Sequence, residues 1–159
     1  MANVVLIGAT GFVGSAILNE LLSRGHKVTA VVRHAAKLPK NDNLTAVEED
    51  VANVDAIANI AKGKDAVISS YNPGWGNPQI GKINDENYPK IVEAVKKSGV
   101  DRLLIVGGAG TLFVKQGVRV VDTGVIPDEI IDAVRSLGSF YLHYLTKEHD
   151  LDWVLFSPA

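Results

Sequence analysis

The segment Gly8-Ala-Thr-Gly11-Phe-Val-Gly14 holds residue types and a spacing that can do chemistry. In such a turn the first glycine permits a sharp bend and the second lets backbone amides approach a pyrophosphate. The third lets a helix pack closely on a strand. A helix starting here offers unpaired N–H groups and the positive end of its dipole to the same anion. Thr10, Phe12 and Val13 sit between these glycines and border whatever binds. A dinucleotide is the expected ligand, and a glycine turn serving geometry alone is the alternative. Roughly 20 residues further on, a site for NAD places an Asp or Glu against the ribose 2′-OH. Here Arg33 and His34 stand instead. A guanidinium meets a 2′-phosphate through bidentate, charge-assisted hydrogen bonds. NADP(H) is therefore expected over NAD(H), with Arg33 as the reader and His34 assisting. A solvated arginine at a strand end is the alternative.

Such a turn needs a strand before it and a helix after it, and the sequence supplies both. Continuous apolar runs recur at Val4–Ile7, Val28–Val32, Ala66–Ile68, Leu103–Val106 and Trp153–Phe156, with a weaker one at Leu44–Val47. Continuous rather than alternating runs mark parallel strands covered on both faces. Between them Val13, Ile17, Leu21 and Leu22 share one helical face, as do Tyr88, Ile91, Val92 and Val95. Ile130, Val134, Leu137, Tyr141 and Tyr144 make a third. Gly25, Gly63 and Gly99 fall where helices end and a left-handed residue is wanted. Strands alternating with helices give an α/β doubly wound parallel sheet, the three-layer α/β/α Rossmann fold, expected as a single domain over residues 1–159.

Composition narrows the function classes. With 47% hydrophobic and 21% charged residues the chain can build a core, and its net charge of −2 leaves no footprint for nucleic acid or an anionic membrane. No cysteine is present, which excludes disulfides, Cys-ligated zinc and thiol catalysis. His26, His34 and His149 lack a partner pattern, so no metal site is expected. The uncharged stretch from Val4 to Leu18 lacks a basic leader and is broken by glycines, so it reads as a buried strand and helix. The cytoplasm is the default compartment. The expected partner is a small-molecule substrate, with a homodimer left open.

Two segments lie where ligands bind in open α/β sheets, beyond the carboxyl ends of the strands. Asn72-Pro-Gly-Trp-Gly-Asn-Pro78 is a loop by its turn residues. Trp75 there, with Tyr71 and Asn72, is a candidate for stacking on a planar substrate; a hydrophobic plug over the sheet edge is the alternative. The span from Phe113 to Asp128 leaves the same edge and is expected to act as a lid.

The Gly-x-x-Gly-x-x-Gly spacing, with Ala-Thr between its first two glycines, resembles the extended and atypical short-chain dehydrogenase/reductases. Further segments carry the likeness across the chain. Glu49-Asp50-Val51 follows the third strand, where the resemblance implies that Asp50 and Val51 flank an adenine. Val67-Ile-Ser-Ser70 ends the fourth, implying that Ser69 and Ser70 line the cofactor, and Leu104-Ile-Val-Gly-Gly-Ala-Gly-Thr111 places Gly107 and Gly108 beside it. The pairing of Gly107-Gly-Ala-Gly110 with Tyr71-Asn-Pro-Gly-Trp75 is similar to the NmrA-like branch, which includes NADH-flavin reductases.

Most members of the superfamily use a Tyr-x-x-x-Lys pair in which lysine lowers the pKa of a proton-transferring tyrosine. Here Tyr141 is followed four places on by Leu145, and Tyr144 by Glu148. Thr111 is a candidate hydroxyl donor, and Tyr141 a further candidate, each with a plain turn or core role as the alternative. His143 matches a histidine of the biliverdin-IXβ reductase/flavin reductase group, which also lacks the pair. The resemblance implies an NAD(P)H-dependent oxidoreductase passing hydride to a flavin-like or other planar acceptor, with FMN or FAD as substrate rather than resident cofactor. A sugar-nucleotide epimerase or dehydratase is one alternative, and a non-catalytic NAD(P)-binding redox sensor another. Relatives usually continue for some tens of residues beyond the sixth strand, so a chain truncated after Ala159, without its C-terminal substrate layer and open on one side, is expected.

Overall fold

The computed structural model describes residues 1–158. In chain order its elements are β1 (Asn3–Ile7), α1 (Phe12–Ser23), β2 (Lys27–Val32), β3 (Leu44–Glu48), α2 (Val54–Ala61) and β4 (Ala66–Ser69). They continue with α3 (Ile80–Ser98), β5 (Arg102–Val106), β6 (Phe113–Lys115), β7 (Val118–Arg119), α4 (Asp128–His143) and β8 (Asp152–Phe156). Six strands form one parallel sheet in the order β3-β2-β1-β4-β5-β8. The order reverses direction between β1 and β4, and the carboxyl ends of those two strands open the crevice where a ligand binds in such sheets.

Alternation along the strands splits the core in two. Val5 and Ile7 of β1, Val67, Leu103 and Ile105 point toward α2, α3 and α4, where Ile57, Ile91, Val95 and Phe140 meet them. Leu6, Val28, Ala30 and Val32 point the other way, onto Leu18 of α1. On that second face Val154 and Phe156 of β8 are exposed. Gly25, Gly63 and Gly99 all take positive φ, near +75° to +81°, at the helix ends where glycine is free to do so.

α3 reaches further toward the N-terminus than its strongest apolar face. It starts at Ile80, and its buried stripe runs Ile80, Asn84, Tyr88, Ile91 and Val95. Pro89 lies inside it and has no N–H to give the Asp85 carbonyl. The span after β5 is shaped rather than open loop: β6 and β7 pair as a short antiparallel hairpin, with the Arg119 guanidinium 5.0 Å from the Phe113 ring centroid. No helix among the described residues is long and apolar enough to cross a membrane.

Candidate functional site

The glycine turn connects β1 to α1, and its three glycines are held for different reasons. Gly8 has φ +82°, and a Cβ there would lie 2.7 Å from the Ser70 carbonyl oxygen. A Cβ at Gly14 would lie 1.9 Å from the Gly8 carbonyl oxygen and 2.7 Å from Ser70 Oγ. The protein itself therefore requires glycine at both positions. At Gly11 the nearest atom is the Gly8 oxygen at 3.6 Å, an ordinary contact, and φ is −75°. Nothing in the chain's own packing calls for glycine there, and the residue borders open space on both sides of the turn.

The amides around that space are free to receive an anion. Ser15 N–H donates to the Gly11 carbonyl, the first bond of the helix, which leaves the N–H groups of Phe12, Val13 and Gly14 without helical acceptors. No side chain caps the helix and no acid stands in its first turn. Phe12 is 96% exposed at the rim. Ser70 Oγ sits behind the turn, donating toward the Ile7 carbonyl at 2.9 Å and the Gly8 carbonyl at 3.2 Å, and so ties β4 to the bend. These features fit a dinucleotide pyrophosphate.

Two hollows flank the turn. One, about 520 Å³, runs along the ends of β2 and β3 and is lined by Gly8, Thr10, Arg33, Lys37, Asp50 and Val51, among others. Arg33 and Lys37 are exposed there and Val51 is buried. The Asp50 carboxylate accepts from Ala52 N–H at 2.8 Å, so it holds its own loop as well as facing the hollow. His34 does not line the hollow; it precedes the short 3-10 turn Ala35–Lys37, at whose end Lys37 does. Of the two basic residues expected here, Arg33 lines the hollow and His34 does not, while Lys37 lines it as well. Ser69 is buried beneath the site, its Oγ accepting from Tyr71 N–H at 3.4 Å, and it lies outside both linings.

The second hollow, about 540 Å³, opens on the other side of the turn between β5, α3 and α4. Its walls are mainly apolar: Val106, Ile130, Val134, Leu137 and Leu155 meet Tyr88 and Trp75 across it. Gly107 and Gly108 both face it. Gly107 is required by β8, since a Cβ would lie 3.0 Å from Leu155, whereas nothing lies within 4 Å of the same atom at Gly108. Gly11, Phe12, Ser70, Tyr71, Asn72 and Trp75 border both hollows, so they form one continuous groove around the turn.

Several polar groups along the groove are held by hydrogen bonds. Tyr71 Oη accepts from Asn87 Nδ2 at 2.8 Å, and burial pushes its pKa up while that hydrogen bond pulls it back. Asn72 Oδ1 accepts from Gly74 N–H at 2.7 Å and shapes the Trp75 loop. Trp75 is 58% exposed over the opening. Tyr88 lies under Tyr71, edge to face at 6.0 Å, and its phenol is held neutral far above its usual range by burial. Asn84 differs from them: it is buried and its Oδ1 has no hydrogen-bond partner.

Thr111 lines the cavity at the end of the 3-10 turn Ala109–Thr111, with its methyl facing α4 at Gly138. Tyr141 and His143 do not line it. α4 lines the cavity from Ile130 to Gly138; Tyr141 lies further along and packs edge to face on Trp153 at 6.4 Å. His143 ends the helix, exposed. Of the three sequence-based candidates for catalysis, Thr111 lines the cavity, and Tyr141 and His143 lie beyond Gly138, where each residue adds about 1.5 Å along the helix axis. Lys37 and Asn84, which carry no motif, take places at the groove instead.

Residues 8–159 match the NAD(P)H-binding family model. The chain belongs to this family. It is 34% identical over 156 residues to the uncharacterised protein YwnB of Bacillus subtilis, covering 97% of this chain and 70% of that one. Among solved structures, a candidate epimerase of Bacteroides thetaiotaomicron superposes with TM-score 0.90 at 49% identity, over 99% of this chain and 71% of the other. A candidate NADH-flavin reductase of Streptococcus pneumoniae superposes with TM-score 0.80 at 29% identity, over all of this chain and 72% of the other. The family match and the parallel sheet together bear out the NAD(P)-binding Rossmann fold expected from the glycine turn and the apolar runs.

Proposed function

We propose that residues 1–159 work as one NAD(P)H-binding domain that passes hydride to a planar acceptor of the flavin class, with NADP(H) preferred. The observation that carries this reading is the continuity of the groove. A phosphate-accepting turn leads directly into an apolar cavity of about 540 Å³ bordered by Trp75 and Tyr71. When bound, NAD(P)H supplies the hydride, and solvent at the open side of the groove supplies the proton that completes reduction of the acceptor.

The chain's residues then have distinct tasks. The amides of Phe12, Val13 and Gly14 hold the pyrophosphate, and Arg33 with Lys37 holds a 2′-phosphate. Asp50 and Val51 border the adenine, while Gly108 leaves room for the nicotinamide end. Trp75 and Tyr71 stack on or edge the acceptor, and the apolar wall from α4 keeps water from the face where hydride passes. Thr111 carries a hydroxyl and lines the same cavity. The name of the Streptococcus pneumoniae neighbour supports the acceptor class. An epimerase reading has the name of the Bacteroides thetaiotaomicron neighbour behind it. A sugar, however, needs many polar partners, and this cavity is lined chiefly by aliphatic and aromatic side chains.

Steady-state oxidation of NADPH in the presence of flavin mononucleotide tests the reading. Turnover that saturates in both substrates is expected. Tight cofactor binding with no turnover on flavin, quinone or other planar acceptors would replace this reading by a redox sensor.

A further inference from the structure

Asn84 is 2% exposed, sits on the α3 wall of the apolar cavity and leaves its Oδ1 without a hydrogen bond. It lies one turn from Ile80 and one from Tyr88 on an otherwise apolar stripe, the position where a leucine would pack best. Two polar groups of the same lining are already engaged: the Tyr71 phenol with Asn87, and the Asn72 amide oxygen with the Gly74 N–H. A buried acceptor with no partner is unfavourable unless a ligand supplies the missing donor. A few placed polar groups in an apolar pocket set a ligand's orientation and identity.

We propose that Asn84 reads a ring N–H of the acceptor, so that the substrates are planar acceptors with a lactam or imide edge rather than quinones. This rests on the reductase reading above. The unpaired atom is an acceptor, and an oxidised quinone carries only acceptors: it can take a hydrogen bond from Asn84 Nδ2 but leaves Oδ1 unpaired. An isoalloxazine or pteridine-like ring offers an imide or lactam N–H beside the part of the ring that stacks. A site built to bond such a group rejects the analogue lacking it, because its own polar atom is then stranded.

The test uses the protein saturated with NADP+ and titrated with lumiflavin or 3-methyllumiflavin, followed by flavin fluorescence. The two ligands share their ring and differ at the imide nitrogen, where a methyl replaces the proton. Wild type is expected to favour lumiflavin by about tenfold. In Asn84→Leu, which keeps the volume and removes the acceptor, that preference collapses while NADP+ affinity shows the variant to be folded. Equal binding of both ligands by wild type overturns the proposal and leaves the reductase reading in place. A preference that survives in Asn84→Leu makes the methyl effect steric and overturns it too. Loss of NADP+ rather than lumiflavin affinity in the variant assigns the amide to the cofactor, which also overturns it. If neither flavin binds wild type, the acceptor reading itself falls, and the inference with it.

Discussion

Alanine at Gly11 and alanine at Gly14 should separate cofactor binding from folding, although the two residues lie three apart in one turn. At Gly14 the new Cβ would meet the Gly8 carbonyl oxygen at 1.9 Å and Ser70 Oγ at 2.7 Å. Reaching ordinary contact means moving the start of α1 by roughly 1.5 Å off the end of β1. Ser70 binds the same carbonyl, so the movement also breaks the tie from β4. Overpacking of this kind costs about 3 kcal/mol, the upper part of its usual range. For a chain of this size that lowers Tm by roughly 6–12 °C. At Gly11 the Cβ meets only the Gly8 oxygen, at 3.6 Å, and φ of −75° suits any residue. A slightly poorer N-cap and a stiffer unfolded chain offset each other, leaving stability within about 1 kcal/mol of wild type. The methyl would stand where backbone amides meet the pyrophosphate, weakening NADPH by about tenfold or more, or about 1.4 kcal/mol. Thermal unfolding and an NADPH fluorescence titration on both variants give the comparison. A Gly11→Ala protein that binds NADPH like wild type, or a Gly14→Ala protein that melts like wild type, would refute the reasoning.

Arg33→Asp should convert a preference for NADP(H) into one for NAD(H), a change of about tenfold to a hundredfold. Lys37→Ala should give a smaller loss in the same direction; paired titrations that leave the NADP/NAD ratio unmoved in Arg33→Asp would show that the strand end does not read the phosphate. His143→Ala should keep the wild-type kcat and KM, because His143 lies at the exposed end of α4 outside the groove; a large fall in kcat would return it to the site. Burial raises the Tyr88 pKa, so its contribution to stability is whole below the unfolded value of about 10 and is lost as pH climbs above it. Melting curves across that alkaline range should fall less steeply in Tyr88→Phe than in wild type, and equal slopes would remove the linkage.

The sheet was legible because its signal is local. Each apolar run is as long as one strand, and covering both faces of a parallel sheet keeps the run continuous. The glycine turn was legible for the same reason, as its three glycines fall within seven residues, although part of what demands them is Ser70 just after β4. Arg33 could be placed because it directly follows β2. Lys37 could not: it reaches the same hollow only through a 3-10 turn whose residues show no periodicity. Asn84 interrupts the stripe from Ile80 to Tyr88, and that polar break in an apolar i, i+4 series was the available signal. Tyr141 and His143 lie on the helix that lines the cavity, beyond its last lining residue Gly138. Periodicity gives the face of a helix that is buried, and it does not say which stretch of that face meets the cavity and which meets Trp153.

The most direct test of the account is an anaerobic single turnover with protein, flavin mononucleotide and NADPH, run with protium and with deuterium at the transferred position. The account predicts bleaching of flavin in step with oxidation of nicotinamide, one for one, faster than without protein and slowed by deuterium. Oxidation at the protein-free rate with NADPH bound in the groove would contradict it, and would leave this chain a binder of the cofactor that transfers nothing.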